Sequence, residues 1–277
     1  MSQEDVLYAV EDGVAVVTLN RPEKMNAWSA GMDAGVYRCM QEAAADDAVR
    51  VIVLTGSGRG FCAGADMENL LSIQAATKEG GDAGVSAGDE DRRIDRSVPA
   101  CFGGRYSYFP SVPKPVIGAI NGATAGMGMA IALFTDLRLW SSDGRMSTIF
   151  AKRGLIAEWG LTWTLHQLVG PARAADLLFS ARFVGAEEAL RIGLANDVHP
   201  AESFLDDVMG YAKNMAANVS PRSLRVMKNQ LWNDVFGDLQ SALDRAEVEM
   251  KKTFGTEDFE EGVAHFLEKR APNFTGR

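Results

Sequence analysis

The chain has 277 residues, of which 47% are hydrophobic and 28 are glycines, so it is long enough to bury one large core or two modest ones. Its net charge is −9 and its lysines and arginines are scattered, which argues against a nucleic-acid-binding surface or a basic membrane-binding helix. The three cysteines stand far apart without a C-x-x-C pair, which argues against a disulfide framework or a zinc knuckle. We therefore expect a mostly helical α/β enzyme with reduced cysteines in the cytoplasm.

Targeting, membrane and metal signals are weak throughout the chain. The N-terminal sequence MSQEDVLYAVEDG is acidic and lacks an apolar stretch of signal-peptide length. No later run reaches about 18 uncharged apolar residues, so no membrane span is predicted. His166, His199 and His265 share no metal-ligand spacing, so no metal is predicted either.

The N-terminal half is predicted to consist of repeated strand–turn–helix units. The strand–helix pairs are Val14–Leu19 with Ser29–Ala45, Val51–Thr55 with Ala65–Ile73, and Val116–Ile120 with Gly126–Phe134, and Leu137–Trp140 is a further strand. This alternation predicts an α/β core with mostly parallel strands and helical crossovers. Between the second and third units, Ala75–Arg96 is polar and glycine-rich, which favours a lid or surface loop, or simple disorder.

After residue 140 the hydrophobic pattern becomes helical. The predicted helices are Leu161–Val169, Ala172–Phe179, Ala186–Ile192, Glu202–Asn218, Pro221–Phe236, Leu239–Phe254 and Glu257–Arg270. The last of them carries Phe259, Val263, Phe266 and Leu267 on one face. This apolar face packs either within the chain or against another subunit.

Two stretches, Val49–Asp66 and Val116–Asp136, run from an apolar strand through small residues into a helix. Small residues let peptide N–H groups approach a ligand oxygen closely. One donor from each turn would stabilise a thioester carbonyl as it gains negative charge, which is the arrangement of an oxyanion hole. For either turn alone, an ordinary structural turn is the competing interpretation.

Two other glycine-rich sites are disfavoured. The segment Gly56–Gly60 lacks the Gly-Lys-Ser/Thr ending of a phosphate-binding loop. Gly126 and Gly128 match the first two glycines of a dinucleotide fingerprint, but Ile131 replaces the third. The absence of that third glycine also argues against a nicotinamide oxidoreductase.

Four segments in order resemble motifs of the crotonase family, the enoyl-CoA hydratase/isomerase superfamily. They are Leu19–Ala27 (LNRPEKMNA), Phe61–Asp66 (FCAGAD), Ala119–Gly122 with Gly126–Gly128, and His265–Phe274 (HFLEKRAPNF). The resemblance implies a crotonase-like spiral of ββα turns over residues 1–200. It further implies a helical C-terminal region over 201–277 that completes the acyl-CoA site and forms trimers, commonly paired into hexamers. It also implies an acyl-CoA substrate, with coenzyme A carried by the substrate and no separate cofactor.

The resemblance also assigns site residues by position. The amides of Ala65 and Met127 match the oxyanion-hole donors of the family, and Met127 replaces a frequent glycine. The residues that match the coenzyme A site are Lys24 and Met25 along the nucleotide, Ala63 and Asp66 beside the adenine–pantetheine bend, and Phe266 with Lys269 on the C-terminal helix. Lys24 is equally compatible with a solvated turn lysine.

The catalytic acids are where the chain departs from the best-known hydratases of this family, which use two glutamates. The two aligned positions are Ala130 and Phe150, and neither side chain transfers a proton. Glu158 stands where other branches carry a carboxylate, and its apolar neighbours favour a raised pKa suited to proton transfer. The competing interpretation of Glu158 is a stabilising contact with the following helix start.

Tyr106 and Tyr108 follow the polar loop and either line the acyl pocket or pack in the core. The sequence hypothesis is therefore an enolate-forming enzyme with Glu158 as acid and base. Its alternative is an inactive acyl-CoA-binding or scaffold protein, because both hydratase glutamates are missing.

Overall fold

Two β-sheets and a set of C-terminal helices form the part of the chain that the computed structural model describes, residues 4–79 and 90–277. Strands β1 to β10 are Val6–Glu11, Val14–Leu19, Val51–Gly56, Gly60–Cys62, Val116–Ile120, Ala123–Ala125, Leu137–Ser141, Arg145–Ser147, Val184–Gly185 and Asp197–His199. Helices α1 to α9 are Ala30–Ala45, Met67–Lys78, Met127–Leu133, Leu161–Ser180, Ala186–Ile192, Phe204–Asn218, Pro221–Asp234, Leu239–Thr253 and Glu257–Glu268.

From β3 to β8 the strands alternate between two sheets as the chain advances. The larger sheet has the order β1-β2-β3-β5-β7-β10, and the smaller one has the order β4-β6-β8-β9. Strands β3, β5 and β7 of the larger sheet are each followed by a short strand of the smaller sheet. Neighbours from β2 to β10 in the larger sheet are parallel. This architecture confirms the predicted spiral of ββα turns with a helical C-terminal region.

The sequence analysis missed β1, which pairs antiparallel with β2 at the edge of the larger sheet. Most of its residues are at least partly exposed, and only Val6 is buried. An exposed edge strand carries little apolar alternation, which is the signal on which strand prediction depends.

The loop expected over Ala75–Arg96 is only partly covered by the structure. Its first residues continue helix α2, which runs to Lys78, so the loop prediction is wrong there. Residues 80–89 lie outside the described residues. In the described end of the segment, Arg92 contacts the buried carboxylate of Asp33 at 3.1 Å, which ties this stretch to helix α1.

Helix α4 contains both helices that were predicted from residue 161 to residue 179. At Gly170 the backbone leaves the helical region with φ 76° and ψ 166°. Pro171 follows, and its ring suits the first turn of the second segment because proline has no N–H to leave unpaired. The two predicted segments are therefore present, joined through a kink.

Helix α6 packs on the larger sheet, although it lies in the predicted C-terminal region. Phe204, Val208 and Ala212 are buried against sheet residues such as Val53 and Ile117. Burial of these side chains is the main force that holds the helix to the sheet. The boundary at residue 200 stays a prediction, and α6 shares a core with the strands before it.

The structure of residues 4–79 and 90–277 also bears on membrane spanning, metal binding and the state of the cysteines. None of the helices there is both long and apolar enough to cross a membrane. In the same residues, no group of three or more His, Cys, Asp or Glu side chains is placed to hold a metal ion. Cys39 and Cys62 are buried and Cys101 is exposed, and all three are free thiols.

A buried ion pair connects helix α7 to the core. The Nζ atom of Lys228 lies 2.6 Å from the Asp136 carboxylate and also donates to the carbonyl oxygens of Phe109 and Lys114. Burial lowers the pKa of Lys228. Asp136 accepts a further hydrogen bond from the Trp232 indole at 2.8 Å. Removing one partner would leave a buried charge without compensation.

We expect Lys228→Met to lower the free energy of unfolding by about 3–5 kcal/mol, because Asp136 loses its buried cation. Urea denaturation measures this change. The control is Lys251→Met, which breaks an exposed pair with Glu247 and is expected to cost about 0–1 kcal/mol. Equal stability of the two variants would contradict the role given to the buried pair.

Candidate active site

The first candidate turn, residues 63–66, follows strand β4. Two backbone hydrogen bonds with Trp28 hold it in place. Trp28 forms an isolated parallel bridge with Ala65. The Trp28 amide donates to the Gly64 carbonyl at 2.7 Å, and the Asp66 amide donates to the Trp28 carbonyl at 3.2 Å. A parallel bridge uses the groups that flank the central residue, so the Ala65 N–H points away from Trp28. This N–H donates to no acceptor among the described residues.

The second candidate turn follows strand β6 and opens helix α3 at Met127. Gly126 adopts φ 52° and ψ −117°, a conformation that is costly for residues with a Cβ atom. The amide of a first helical residue has no partner within its own helix. The Met127 N–H likewise finds no acceptor within the described ranges.

The two turns lie side by side because β4 and β6 are parallel neighbours. A Cβ atom on Gly64 would stand 2.9 Å from the Ala125 carbonyl oxygen and 3.8 Å from the Met127 nitrogen. A Cβ atom on Gly128 would stand 2.3 Å from the Cys62 carbonyl oxygen. Glycine at these two positions therefore permits the backbones to touch, and two unused N–H groups stand on adjacent turns.

Apolar side chains occupy the two positions that carry glutamates in the best-known hydratases. Ala130 is fully buried in helix α3, and Phe150 is also buried. A Cβ atom on Gly126 would lie 3.7 Å from the Phe150 ring, so this ring packs against the second turn. The residues at both positions offer no proton-transfer group, as the sequence indicates.

Glu158 is half-buried just before helix α4. Burial raises the pKa of its carboxyl group, and the neighbouring Trp159 indole opposes this rise by a smaller amount. Gly160 is the N-cap residue of helix α4, and no side chain, that of Glu158 included, caps the start of this helix. Trp159 has φ 57°, a strained backbone conformation for a residue with a Cβ atom. A raised pKa and local strain are common at functional sites, although neither one assigns a role.

Tyr106 contacts Trp28, which is paired with Ala65, and Trp159, which follows Glu158 in the chain. Its ring makes edge contacts with Trp159 at 4.5 Å and with Trp28 at 6.1 Å between ring centroids. Burial is the largest cause that raises the pKa of Tyr106 to about 12; the charge of Arg105 opposes this rise, and the charge of Asp33 adds to it. The phenol is therefore neutral at pH 7.

Tyr108 has a different environment from Tyr106. It is 2% exposed and stacks on Phe109 with 4.5 Å between ring centroids. An edge contact with Tyr37 encloses it further. Of the two interpretations offered by the sequence, core packing describes Tyr108.

The residues proposed along coenzyme A fall into two groups, of which one is assembled within the chain. The Ala63 amide donates to the Met25 carbonyl at 3.0 Å, and Lys24 Nζ lies 3.5 Å from the Asp66 carboxylate. Lys24 is also 2.9 Å from Glu68. We call residues 22–25 the Lys24 turn. The Lys24 turn and the first candidate turn therefore form one continuous surface.

Asp66 has structural partners in addition to Lys24. A hydrogen bond from Arg21 at 2.8 Å is the largest cause of its lowered pKa. Its other carboxylate oxygen accepts from the Glu68 amide at the start of helix α2. Asp66 thus stays ionised and holds the end of the first turn in place.

The second group, Phe266 and Lys269, is separate from that surface. Phe266 is 77% exposed on helix α9, and Lys269 ends this helix with φ 54°. Asp258 attaches the helix to Ser220 and to the C-terminal segment. Within the described residues, no hydrogen bond, ion pair or ring contact joins Phe266 or Lys269 to the Lys24 turn.

Sequence reasoning gave no role to Asn26, which organises the connection between β3 and β4. It is fully buried with φ 54°, and its amide group donates to the carbonyls of Ser57 and Gly60 at 2.9 and 2.8 Å. Its side-chain oxygen accepts from the Arg21 amide. The available signal was a polar residue after Met25 in a turn, since asparagine tolerates positive φ better than most residues.

Comparisons with known proteins agree with this architecture. The family model for enoyl-CoA hydratase/isomerase matches residues 9–277. The 1,2-epoxyphenylacetyl-CoA isomerase of Escherichia coli is 32% identical over 274 residues and 99% of each chain. The short-chain-enoyl-CoA hydratase of Clostridium acetobutylicum is 31% identical over 98% of this chain and 97% of that protein.

The crystal structure of enoyl-CoA hydratase from Bacillus anthracis has a TM-score of 0.84 at 25% identity, covering 99% of this chain and 100% of that one. The chain therefore belongs to the enoyl-CoA hydratase/isomerase family, the crotonases.

Proposed function

We propose that this enzyme converts an acyl-CoA thioester through an enolate whose oxygen is bound by the N–H groups of Ala65 and Met127. The observation that carries the proposal is the pair of unused amides on two touching turns. An oxygen that gains negative charge is stabilised most by donors already fixed in place, because no reorganisation is needed during the reaction. Backbone donors also explain why methionine is acceptable at position 127.

Glu158 is the proposed acid and base. Its carboxylate takes a proton from a carbon next to the thioester carbonyl, and the electron pair moves onto the carbonyl oxygen. The protonated carboxyl group then returns the proton to another carbon, so that a double bond shifts without any net loss of atoms. A carboxyl group whose pKa is raised toward the working pH suits both steps.

The two-glutamate hydration mechanism does not fit this chain. Ala130 and Phe150 are apolar, and the Phe150 ring packs beside the second turn. Adding water across a double bond requires a group that positions the water and a group that protonates the product. Glu158 alone would have to serve both purposes, which makes isomerisation the better-supported reaction.

The coenzyme A portion is proposed to lie along the surface formed by Lys24, Met25, Ala63 and Asp66. A lysine ammonium beside a phosphate gains a charge-assisted hydrogen bond. No cofactor is proposed apart from the coenzyme A that the substrate carries. The whole protein is proposed to work in the cytoplasm.

Phe266 and Lys269 are proposed to reach coenzyme A in an assembly of several copies. Within the described residues, no hydrogen bond, ion pair or ring contact joins them to the Lys24 turn, and helix α9 exposes an apolar face. Burying that face against a second copy would bring these residues to a neighbouring site. A homotrimer, or two trimers paired as a hexamer, is the proposed assembly.

A second candidate is an acyl-CoA-binding or scaffold protein without activity. The apolar residues Ala130 and Phe150 are the specific observation in its favour. This candidate predicts that thioesters bind and are never converted. The half-buried carboxyl group of Glu158, whose pKa is raised by burial, favours the enzyme instead.

We expect Glu158→Gln to lower turnover about 10²–10⁴-fold and to leave binding unchanged, because the amide cannot transfer the proton. The measurement uses 2-enoyl, 3-enoyl, dienoyl and 3-hydroxyacyl-CoA thioesters, together with a binding titration of coenzyme A. Glu187→Gln, which changes an exposed glutamate on helix α5, is the matched control. Equal turnover by Glu158→Gln and wild type would refute the assignment, and binding without turnover by wild type across the panel would favour the scaffold candidate.

The same substitution has an expected effect on stability. Because the pKa of Glu158 is raised in the folded state, its contribution to stability is fully present below the unfolded-state pKa and is lost as pH rises through the folded-state pKa. Glu158→Gln should therefore raise the free energy of unfolding at pH 7, because the amide has no charge to desolvate. Urea denaturation at pH 7 and near pH 4 tests this, since the gain should shrink at the lower pH. A loss of stability at pH 7 would contradict it.

Gly128→Ala is expected to lower kcat about 10²-fold, because its Cβ atom would displace helix α3 from the Cys62 carbonyl and move the Met127 amide. The matched control is Gly210→Ala in helix α6, where an added Cβ atom meets nothing within 4 Å. Circular dichroism confirms that both variants fold before kinetics are measured. A folded Gly128→Ala protein with full kcat would remove Met127 from the proposed site.

A further inference from the structure

A cavity of about 310 Å³ is lined in part by Trp159 and Gly160, the two residues that follow Glu158 in the chain. Six aromatic side chains contribute to its wall, namely Phe102, Tyr106, Phe134, Trp159, Trp163 and Phe236. We call it the aromatic cavity. Arg105 is the charged residue among those lining it, and its guanidinium is paired with the buried Asp33 carboxylate at 2.9 Å. The interior therefore offers an almost entirely apolar surface to a ligand.

The aromatic cavity is adjacent to the groups proposed to carry out the reaction, although Ala65, Met127 and Glu158 are not among its lining residues. Trp159 follows Glu158 in the chain and forms part of the wall. Tyr106 contacts both Trp159 and Trp28, and Trp28 is paired with Ala65. A thioester bound at the Ala65 amide would direct the far end of its acyl group toward this wall.

We infer that the acyl group of the substrate carries an aromatic ring, which occupies the aromatic cavity. This inference rests on the proposed function, because it names the substrate class of the same site. It is argued from the size of the cavity, the arrangement of its rings and the cost of ordering a flexible chain.

The size of the cavity fits a ring with a short linker. An apolar cavity of about 150 Å³ is enough to bind benzene, and the aromatic cavity is about twice that volume. A ring attached through one carbon has few rotatable bonds. A linear acyl chain with the same number of carbons must lose the freedom of many more bonds to enter the same space.

The arrangement of the wall favours a ring over an aliphatic chain. Trp163 and Phe236 are stacked with 5.5 Å between ring centroids, whereas Phe102 meets Trp163 edge-on at 6.4 Å. Tyr106 and Trp159 form a second edge contact. The wall thus presents both faces and edges, and a bound ring gains stacked or edge contacts beyond the burial of its surface.

The first experiment compares the binding of phenylacetyl-CoA and octanoyl-CoA to the intact protein by calorimetry. Both acyl groups have eight carbons, and neither has an alkene to hydrate or shift. Coenzyme A alone provides the baseline. We expect phenylacetyl-CoA to bind at least about tenfold more tightly than octanoyl-CoA, which corresponds to about 1.4 kcal/mol.

Variants test whether the preference comes from this wall. Trp163→Leu and Phe236→Leu remove ring surface while keeping an apolar side chain, so each should reduce the phenylacetyl preference at least about threefold. Two variants are used because partly exposed Phe236 is easier to replace without harm to folding than Trp163. Phe179→Leu is the matched control, since Phe179 is 82% exposed and is not a lining residue.

Cys101 reports whether the ring enters the aromatic cavity. It is a lining residue and is exposed, whereas Cys39 and Cys62 are buried. Phenylacetyl-CoA should slow the reaction of this thiol with a disulfide reagent severalfold, and coenzyme A alone should not. Cys101→Ser identifies the signal, because it should abolish the rapid labelling phase.

The outcomes separate the inference from the proposed function. A tenfold phenylacetyl preference that falls in both leucine variants, with protection of Cys101, supports an aromatic acyl group in this cavity. Octanoyl-CoA binding as tightly as phenylacetyl-CoA, or phenylacetyl-CoA binding without protection of Cys101, overturns the inference and leaves the acyl-CoA function intact. Failure of both thioesters and of coenzyme A to bind overturns the proposed function as well.

Discussion

The close approach of two backbone turns is the constraint on which the proposed site depends. The turn after β4 and the turn after β6 touch because Gly64 and Gly128 have no Cβ atoms, and a side chain at Gly128 would collide with the Cys62 carbonyl. Parallel pairing of β4 with β6 sets the two turns at the same edge of the sheet. The N–H groups of Ala65 and Met127 have no acceptor among the described residues, so an anionic oxygen would find its donors already ordered.

Polar side chains with structural roles hold the first turn in this position. The Asn26 amide donates to the Ser57 and Gly60 carbonyls in the connection between β3 and β4. Asp66 joins Arg21 to the start of helix α2. These groups are buried or nearly so, and each has several partners. A buried polar network in which every member is bonded makes a local structure rigid, whereas an unpaired member would be costly.

Glu158 is half-buried and has the apolar neighbours Ala157 and Trp159 in the chain. Ala130 and Phe150, where the family resemblance leads us to expect glutamates, are buried and carry no charge. Burial without a compensating cation raises the pKa of a carboxyl group, which favours a proton shuttle over a permanently ionised base. Trp159, the residue after Glu158, is also part of the wall of the aromatic cavity, as is Tyr106. The reaction type and the preference for an acyl group would therefore both depend on these two rings.

The amino-acid sequence by itself determined the central strands, the C-terminal helices and the family. β-Branched runs such as Val51–Thr55, the periodic helices and the short motifs are local signals that survive without knowledge of the fold. Edge strand β1 was not predicted from the sequence, because its side chains are mostly exposed. Only the tertiary structure decided that the Ala65 N–H faces away from Trp28. It also decided that six aromatic rings far apart in the sequence, such as those of Phe102 and Phe236, line one cavity. These relations join residues far apart in the chain, and their distances depend on how the sheets and helices pack rather than on any local pattern.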